Sequence, residues 1–215
     1  MKVVLATTNE HKVHELNQIL AGLVEELGLE IVSTADFDDL PDVAETEVTF
    51  AGNALLKARA IAHATGLPTL ADDSGLTVDV LGGAPGVFSA RWSGSHAGAD
   101  SPRADKDRAN LELLLEQLAD VPDENRGAAF VCAAVIVLPD GADAYAIGEV
   151  RGSLAREPRG GNGFGYDPIF VPDDQPEGAR RHLAEYTDAE KNAISHRGRA
   201  FRDLEPTIRD LLSGS

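Results

Sequence analysis

The sequence predicts an α/β fold built on a mixed sheet. Three patterns carry that expectation. An apolar run near the start breaks into a polar turn and then an amphipathic helix. An Ala-rich helix leads into a short strand. A long apolar run turns back on itself at Asp140-Gly141. Strand–helix alternation favours parallel strands with helices on the faces, and a hairpin adds antiparallel pairing. No internal repeat or low-complexity linker interrupts the 215 residues, so 1–215 read as a single domain.

In chain order, residues 2–6 form the first strand and end at Thr7-Thr8-Asn9. Val13, Leu16, Ile19, Leu20 and Leu23 recur at helical spacing. Residues 29–32 read as a second strand, and the acidic stretch 36–47, with Pro41, as loop. Residues 50–64 predict a helix, with Gly66 and Pro68 as its stop signals. Residues 69–71 predict a short strand ending at Asp72-Asp73-Ser74-Gly75, followed by helix or turn over 76–81 and loop over 82–86. A helix is expected over 110–118. Residues 128–138 and 144–150 make a hairpin about Asp140-Gly141. A Gly-rich loop over 160–165 precedes a strand at 169–171. Thr187 and Glu190 have capping-box spacing, so a helix starts there. A last helix carries Phe201, Leu204, Ile208 and Leu211, with Pro206 expected to kink or restart it.

Composition narrows the function. Thirty-six acidic against nineteen basic residues leave a formal charge of −17, spread along the chain. Such a surface repels nucleic acid and anionic membrane, so neither is expected as a partner. No run approaches a membrane span and no export signal appears, so a cytoplasmic location is expected. The single cysteine, Cys132, lies in an apolar run and reads as a small buried hydrophobe. His63, His96 and His182 read as structural or surface residues. Lysine occurs only five times against fourteen arginines, so each lysine invites a specific reason.

Five segments carry chemistry. Thr7, Thr8, Asn9 and Lys12 stand between a strand and a helix, where hydroxyl, amide and helix N-terminal groups suit an anion or an ordinary cap. Asp72 and Asp73 are adjacent carboxylates that could hold Mg²⁺ and activate water, or form a turn. Their side chains point in opposite directions along an extended strand. Lys57 lies on a largely buried helix, one turn from Asn53. In the loop 160–168 glycines permit close approach, Phe164 can stack on a nucleobase and Asp167 can accept from a ring N–H. Lys191, Ser195, His196 and Arg197 offer donors for a keto oxygen or a phosphate.

The order TTNEHK, TFAGNALLKA, ADDSGLTVDVLGGAPGVFSARWSG, GGNGFGYDPIF and KNAISHRG resembles the inosine/xanthosine triphosphate pyrophosphatase family, from residue 1 to residue 201. The resemblance implies hydrolysis of deaminated purine nucleoside triphosphates to monophosphate and pyrophosphate. It implies an elongated mixed sheet flanked by helices, two lobes with a central nucleotide cleft, a homodimer and Mg²⁺ dependence. By position, Thr7, Thr8, Asn9 and Lys12 bind the triphosphate with help from Lys57. Asp73 is the general base and a metal contact, and Ser74 touches substrate. Phe164, Gly165, Tyr166 and Asp167 surround the base, and Lys191, His196 and Arg197 read it; Ser195 beside them is expected to bind substrate. Many relatives carry paired acidic residues where this chain has Ala44-Glu45, so the second metal carboxylate falls to Glu45. Two other readings stay open: a pyrophosphatase of other nucleoside triphosphates, and a nucleotide sensor without turnover.

Overall fold

The computed structural model describes all residues except 9, 95–97, 99–100, 177 and 214–215, and all described side chains except those of residues 10 and 11. The expectations placed on Asn9 and His96 lie outside the described residues.

Val3, Val4 and Leu5 are β-branched or bulky and apolar, which suits a strand buried on both faces. They form β1 (Lys2–Leu5), which pairs in parallel with β2 (Glu30–Ser33) and with the start of β3 (Thr69–Val78). The chain continues through β4 (Gly127–Val137) and β5 (Asp143–Leu154), and β5 pairs antiparallel with β6 (Phe170–Pro172). The strand order is β2-β1-β3-β4-β5-β6. The expected α/β class with a mixed sheet is therefore present. The helices are α1 (Glu10–Ile19), α2 (Ala21–Leu27), α3 (Phe50–Thr65), α4 (Arg103–Gln117), α5 (Asp188–Ile194) and α6 (His196–Ser213). Among the described residues no helix is long and apolar enough to cross a membrane.

Two compact units divide the chain. The first comprises Met1–Asp73, Cys132–Gly148 and Ser195–Ser215; the second comprises Ser74–Val131 and Glu149–Ile194. In the first unit, alternate strand residues feed two cores. Val3, Leu5, Leu70 and Cys132 pack with Leu16 of α1, Leu20 between α1 and α2, and Phe201, Leu204 and Ile208 of α6. Val4, Ala6, Ala71 and Val135 pack with Ala54, Ala58 and Ile61 of α3. In the second unit Leu76 and Val78 pack with Leu111 and Leu114 of α4 and Leu118 at its C-cap, and the ring centroids of Phe130 and Phe170 lie 4.7 Å apart.

Helix ends follow the sequence signals. The Thr49 hydroxyl accepts from Gly52 N at 3.0 Å and opens α3, and Gly66, at φ 66°, closes it in the left-handed region. Thr187 and Glu190 form the expected capping box, with Glu190 Oε2 accepting from Thr187 N at 2.8 Å and Thr187 Oγ1 from Glu190 N at 3.3 Å.

Three expectations are corrected. The strand expected to stop at residue 71 runs through Asp72-Asp73-Ser74-Gly75 to Val78. Leu76-Thr77-Val78 restores apolar, β-branched strand character after the polar residues. The helix or turn expected from 76 begins only at Asp79, as a short 3-10 turn. The last helix does not restart at Pro206 but runs through it from His196 to Ser213. Its buried Phe201, Leu204, Ile208 and Leu212 hold it against the core across the missing hydrogen bond.

Candidate active site

In the first unit, β3 presents Asp72 and Asp73 to opposite faces. Asp72 shares the face of Leu70, covered by α1 and α6; Asp73 shares the face of Ala71, covered by α3.

Asp72 Oδ2 is the focus of the first face. Lys12 Nζ donates to it at 2.9 Å, and Arg197 donates to it through Nε at 3.2 Å and Nη2 at 3.1 Å. Arg197 Nη1 donates to Glu15 Oε2 at 2.5 Å, while buried Glu15 Oε1 has no partner among the described residues. Burial pushes Asp72 upward, but Arg197, Lys12 and Lys57 outweigh it and hold the carboxyl far below the usual range. Cys132 Sγ lies 3.9 Å from the same oxygen, and burial beside that carboxylate pushes its thiol far up. Cys132 is thus the buried hydrophobe its sequence context indicated, with no thiolate available for chemistry.

Lys57 organises the other face. Its Nζ donates to Glu45 Oε1 at 2.8 Å and to the Asp72 carbonyl at 3.0 Å, and lies 3.6 Å from Asp73 Oδ1. Asn53, one turn earlier on α3, donates to Asp73 Oδ2 at 3.2 Å and accepts from Glu47 N at 2.9 Å. That second bond ties the acidic loop to the helix that carries Lys57. Burial raises Asp73 above the ordinary carboxylate range; Lys57 opposes this, Glu45 adds to it, and Lys12 and Asn53 oppose it. Lys57 is disfavoured by burial, yet Asp73, Glu45 and Asp72 hold it as the ammonium.

Glu45 and Asp73 are the carboxylates able to hold a cation. No group of three or more His, Cys, Asp or Glu side chains suited to a metal occurs among the described residues. Mg²⁺ does not require one, because it is usually held by one or two carboxylates with water and substrate phosphates. Burial is the main cause that raises Asp73 and repulsion by Glu45 adds to it; a cation shared by the two carboxylates would offset both, so the residues fit that ion.

The second unit holds another buried cluster. Lys191 Nζ of α5 donates to Asp167 Oδ2 at 2.8 Å and stands 4.8 Å from the centroid of the Phe164 ring. Phe164 N donates to the same oxygen at 2.9 Å, and Gly165 N donates to Asp107 Oδ2 of α4 at 3.3 Å. Tyr166 OH donates to the Ser89 carbonyl at 2.9 Å, so Tyr166 is anchored through its hydroxyl. Gly163, at φ 79°, has no alternative: a Cβ there would overlap Asp167 Oδ2 and stand 3.2 Å from Lys191 Nζ. The result is a cation fixed beside an aromatic ring on a loop shaped by glycine, an arrangement suited to a flat heterocycle bearing an acceptor.

A family model described as the Ham1 family matches residues 3–207. The chain belongs to the Ham1 family. A Streptomyces avermitilis protein named dITP/XTP pyrophosphatase is 56% identical, with 98% of each chain covered. One of the same name from Frankia alni is also 56% identical, over 99% of this chain and 100% of that one. Among solved structures, a nucleoside-triphosphatase/dITP/XTP pyrophosphatase from Mycobacterium abscessus matches with TM-score 0.74 and 48% identity, covering 97% of this chain and 100% of that one. A HAM1 protein from Coxiella burnetii matches with TM-score 0.80 and 39% identity, covering 98% and 99%.

In this Ham1 chain the expected residues fall into the two clusters. Lys12, Lys57, Asp73, Glu45 and Arg197 meet around β3 in the first unit. Phe164, Gly165, Asp167 and Lys191 meet in the second. Ser195 ends outside α5 and caps α6, its hydroxyl accepting from Gly198 N at 2.9 Å. His196 is the first residue of α6 and is buried. Thr7 is half-buried and Thr8 exposed after β1, and Ser74 is half-buried on β3. Sequence reasoning missed Glu15 and Asp107. Glu15 sits one turn from Lys12, next to Leu16 on the buried stripe, which is an odd place for an acid; Asp107 reads simply as the i,i+4 partner of Arg103.

Proposed function

We propose that this Ham1 chain hydrolyses deaminated purine nucleoside triphosphates, ITP, dITP, XTP and dXTP, to the monophosphate and pyrophosphate, with Mg²⁺. The observation that carries this reading is the junction at Lys57, where a buried ammonium meets Glu45, the Asp72 carbonyl and Asp73. Family membership and the names of its relatives support the substrate class.

In this reading water attacks the α-phosphorus, the new O–P bond forms as the bond to the β-phosphate bridging oxygen breaks, and pyrophosphate leaves. Asp73 receives the water proton. Its elevated affinity for a proton suits that task better than Asp72, which three cations hold ionised. Lys12 and Lys57 stabilise charge on the phosphate oxygens, together with Thr7, Thr8 and Asn9. Mg²⁺ held by Glu45 and Asp73 would supply Lewis-acid stabilisation of those oxygens. Arg197, spread across Asp72 and Glu15, positions Asp72 and, through it, Lys12.

Lys191 is the group that reads the base. Hypoxanthine and xanthine present a 6-keto acceptor and an N1–H donor; adenine presents a 6-amino donor and a bare N1. A fixed ammonium aimed at position 6 rejects adenine, because a buried mismatch of donors is costly. Phe164 supplies the stacking surface, while Gly165, Tyr166 and Asp167 shape the loop. A homodimer in the cytoplasm completes the proposal.

Pyrophosphate release with Mg²⁺ from a panel of ITP, XTP, GTP, ATP and pyrimidine triphosphates tests it. ITP and XTP should exceed the others in kcat/KM; turnover of ATP or pyrimidine triphosphates at equal kcat/KM overturns the substrate class. Asp73→Asn should lower kcat by about 10²-fold or more, the usual contribution of a general base. Lys191→Ala should collapse the ITP-to-ATP preference, and an unchanged ratio would sink its role in base recognition.

A further inference from the structure

The second unit contains a cavity of about 270 Å³ whose lining includes Arg156, Arg159, Arg180, His182 and Asp123. Its electrostatics run against the rest of the molecule. Asp123 is the lining carboxylate, and Arg156 already engages it, Nε to Oδ1 at 2.8 Å. Arg156 also donates Nη1 and Nη2 to the carbonyls of Ala119 and Val121, at 3.1 and 3.0 Å, so its guanidinium is fixed in place. Arg159 and Arg180 are exposed, and among the described residues neither guanidinium has a partner.

A fourth arginine lies behind the wall. Arg126 is 2% exposed and donates to the carbonyls of Leu118, Leu154 and Ala155, at 2.6, 2.7 and 3.1 Å. Leu154 and Ala155 themselves line the cavity. A buried guanidinium satisfied by carbonyls keeps its hydrogen bonds but not its charge balance. Burial and the charge of Arg156 both disfavour its ionised form, and Asp123 opposes them only weakly. Three guanidinium groups and one carboxylate thus line a concave surface, with a fourth guanidinium buried behind it, in a protein that carries −17 overall.

We propose that this cavity binds a small phosphate-bearing anion. The planar guanidinium fork matches phosphate oxygens in pairs, and Arg159 and Arg180 keep their forks available for such a contact. The cavity is smaller than the roughly 300–1,000 Å³ of organic-ligand pockets, which favours an anion of orthophosphate or pyrophosphate size over a whole nucleotide. His182 Nδ1 lies 2.6 Å from the Pro168 carbonyl, which orients the ring in the cavity wall. The inference rests on residues of the second unit alone and does not depend on the reaction proposed for the first.

Calorimetric titration with orthophosphate and, separately, pyrophosphate, without Mg²⁺ and at low ionic strength, tests it. The double variant Arg159→Gln/Arg180→Gln should weaken binding of the preferred anion by about 10-fold or more, the loss expected from two charged hydrogen-bonding partners. Its rate of nucleotide turnover should stay at the wild-type value, which also shows that it folds. Arg159→Lys/Arg180→Lys should recover part of the affinity. Lys12→Ala weakens any separate phosphate binding in the first unit and should leave this component intact. Coincident isotherms for wild type and the glutamine variant overturn the proposal, as does loss of all binding in Lys12→Ala. Comparison of the two anions decides whether a free phosphate or the diphosphate is the ligand.

Discussion

Adjacent carboxylates on β3 have opposite fates because a strand alternates its faces. Asp72 meets Lys12 and Arg197; Asp73 meets Asn53 and stands near Lys57 and Glu45. The two titrate on opposite sides of the ordinary value. A depressed folded-state pKa stabilises the protein above the unfolded pKa, and that stability is lost as pH falls from there toward the folded value. Asp72→Asn should therefore cost about 3–5 kcal/mol near neutral pH, because it leaves buried Arg197 short of a carboxylate. In urea melts its deficit against wild type should shrink as pH falls below about 3.9, the unfolded Asp value. A deficit that persists unchanged in acid would locate the loss in packing. Asp73 has the reverse sign: its raised pKa favours the protonated form on folding, a contribution lost as pH rises through that value. Asp73→Asn should then leave stability near neutral pH unchanged or higher while turnover falls, and the acidic limb of the wild-type rate profile should lie above about pH 3.9. The pair was legible in the sequence, and so was the turn that joins Asn53 to Lys57. The Arg197–Glu15 pair was not, since 182 residues separate the partners and neither sits in a pattern that announces the other.

Elements set where these side chains stand, and here glycine decides. Gly148 on β5 faces the start of α6; a Cβ added there would overlap the His196 carbonyl and the backbone nitrogen of Ala200. The close approach lets α6 seat Arg197 against Asp72. Gly148→Ala should destabilise the protein by about 1–3 kcal/mol or more, the range for overpacking, since backbone cannot rotate away as a side chain can. Because α6 would shift, kcat should fall with it, and a stable variant with wild-type kcat would show that the spacing is not needed. Signals confined to one turn were readable in advance: the Gly66 stop and the Thr187–Glu190 box. Signals that compete across elements were not. Asp72-Asp73-Ser74-Gly75 reads as a turn by local chemistry, and strand pairing keeps it extended. Ser195 reads as a ligand donor beside His196 and Arg197, yet its hydroxyl is used by the first turn of α6.

At the scale of the molecule, the charge of −17 is set against a scatter of ion pairs. Pairs such as Arg209–Glu26, Arg156–Asp123 and Arg181–Glu190 are at least one-third exposed at each side chain. Exposed pairs of this kind contribute about 0–1 kcal/mol each and weaken in salt. The excess carboxylates repel one another over a Debye length, which shrinks from about 30 Å at 0.01 M to about 3 Å at 1 M ionic strength. Buried pairs around Asp72 are screened far less, so salt acts mainly on the exterior. Net repulsion should therefore win over surface pairing, and the melting temperature should rise as sodium chloride is added across that range. A melting temperature that falls with salt would mean the exterior pairs outweigh the net charge. The same repulsion should keep duplex DNA from binding at any salt concentration, because there is no excess of basic residues to release counterions. Fluorescence anisotropy of a labelled duplex should stay flat in 0.01 M salt, where the attraction of even one local basic patch, such as the arginine-lined cavity, would be greatest. A salt-sensitive rise there would show that the patch overrides the acidic exterior.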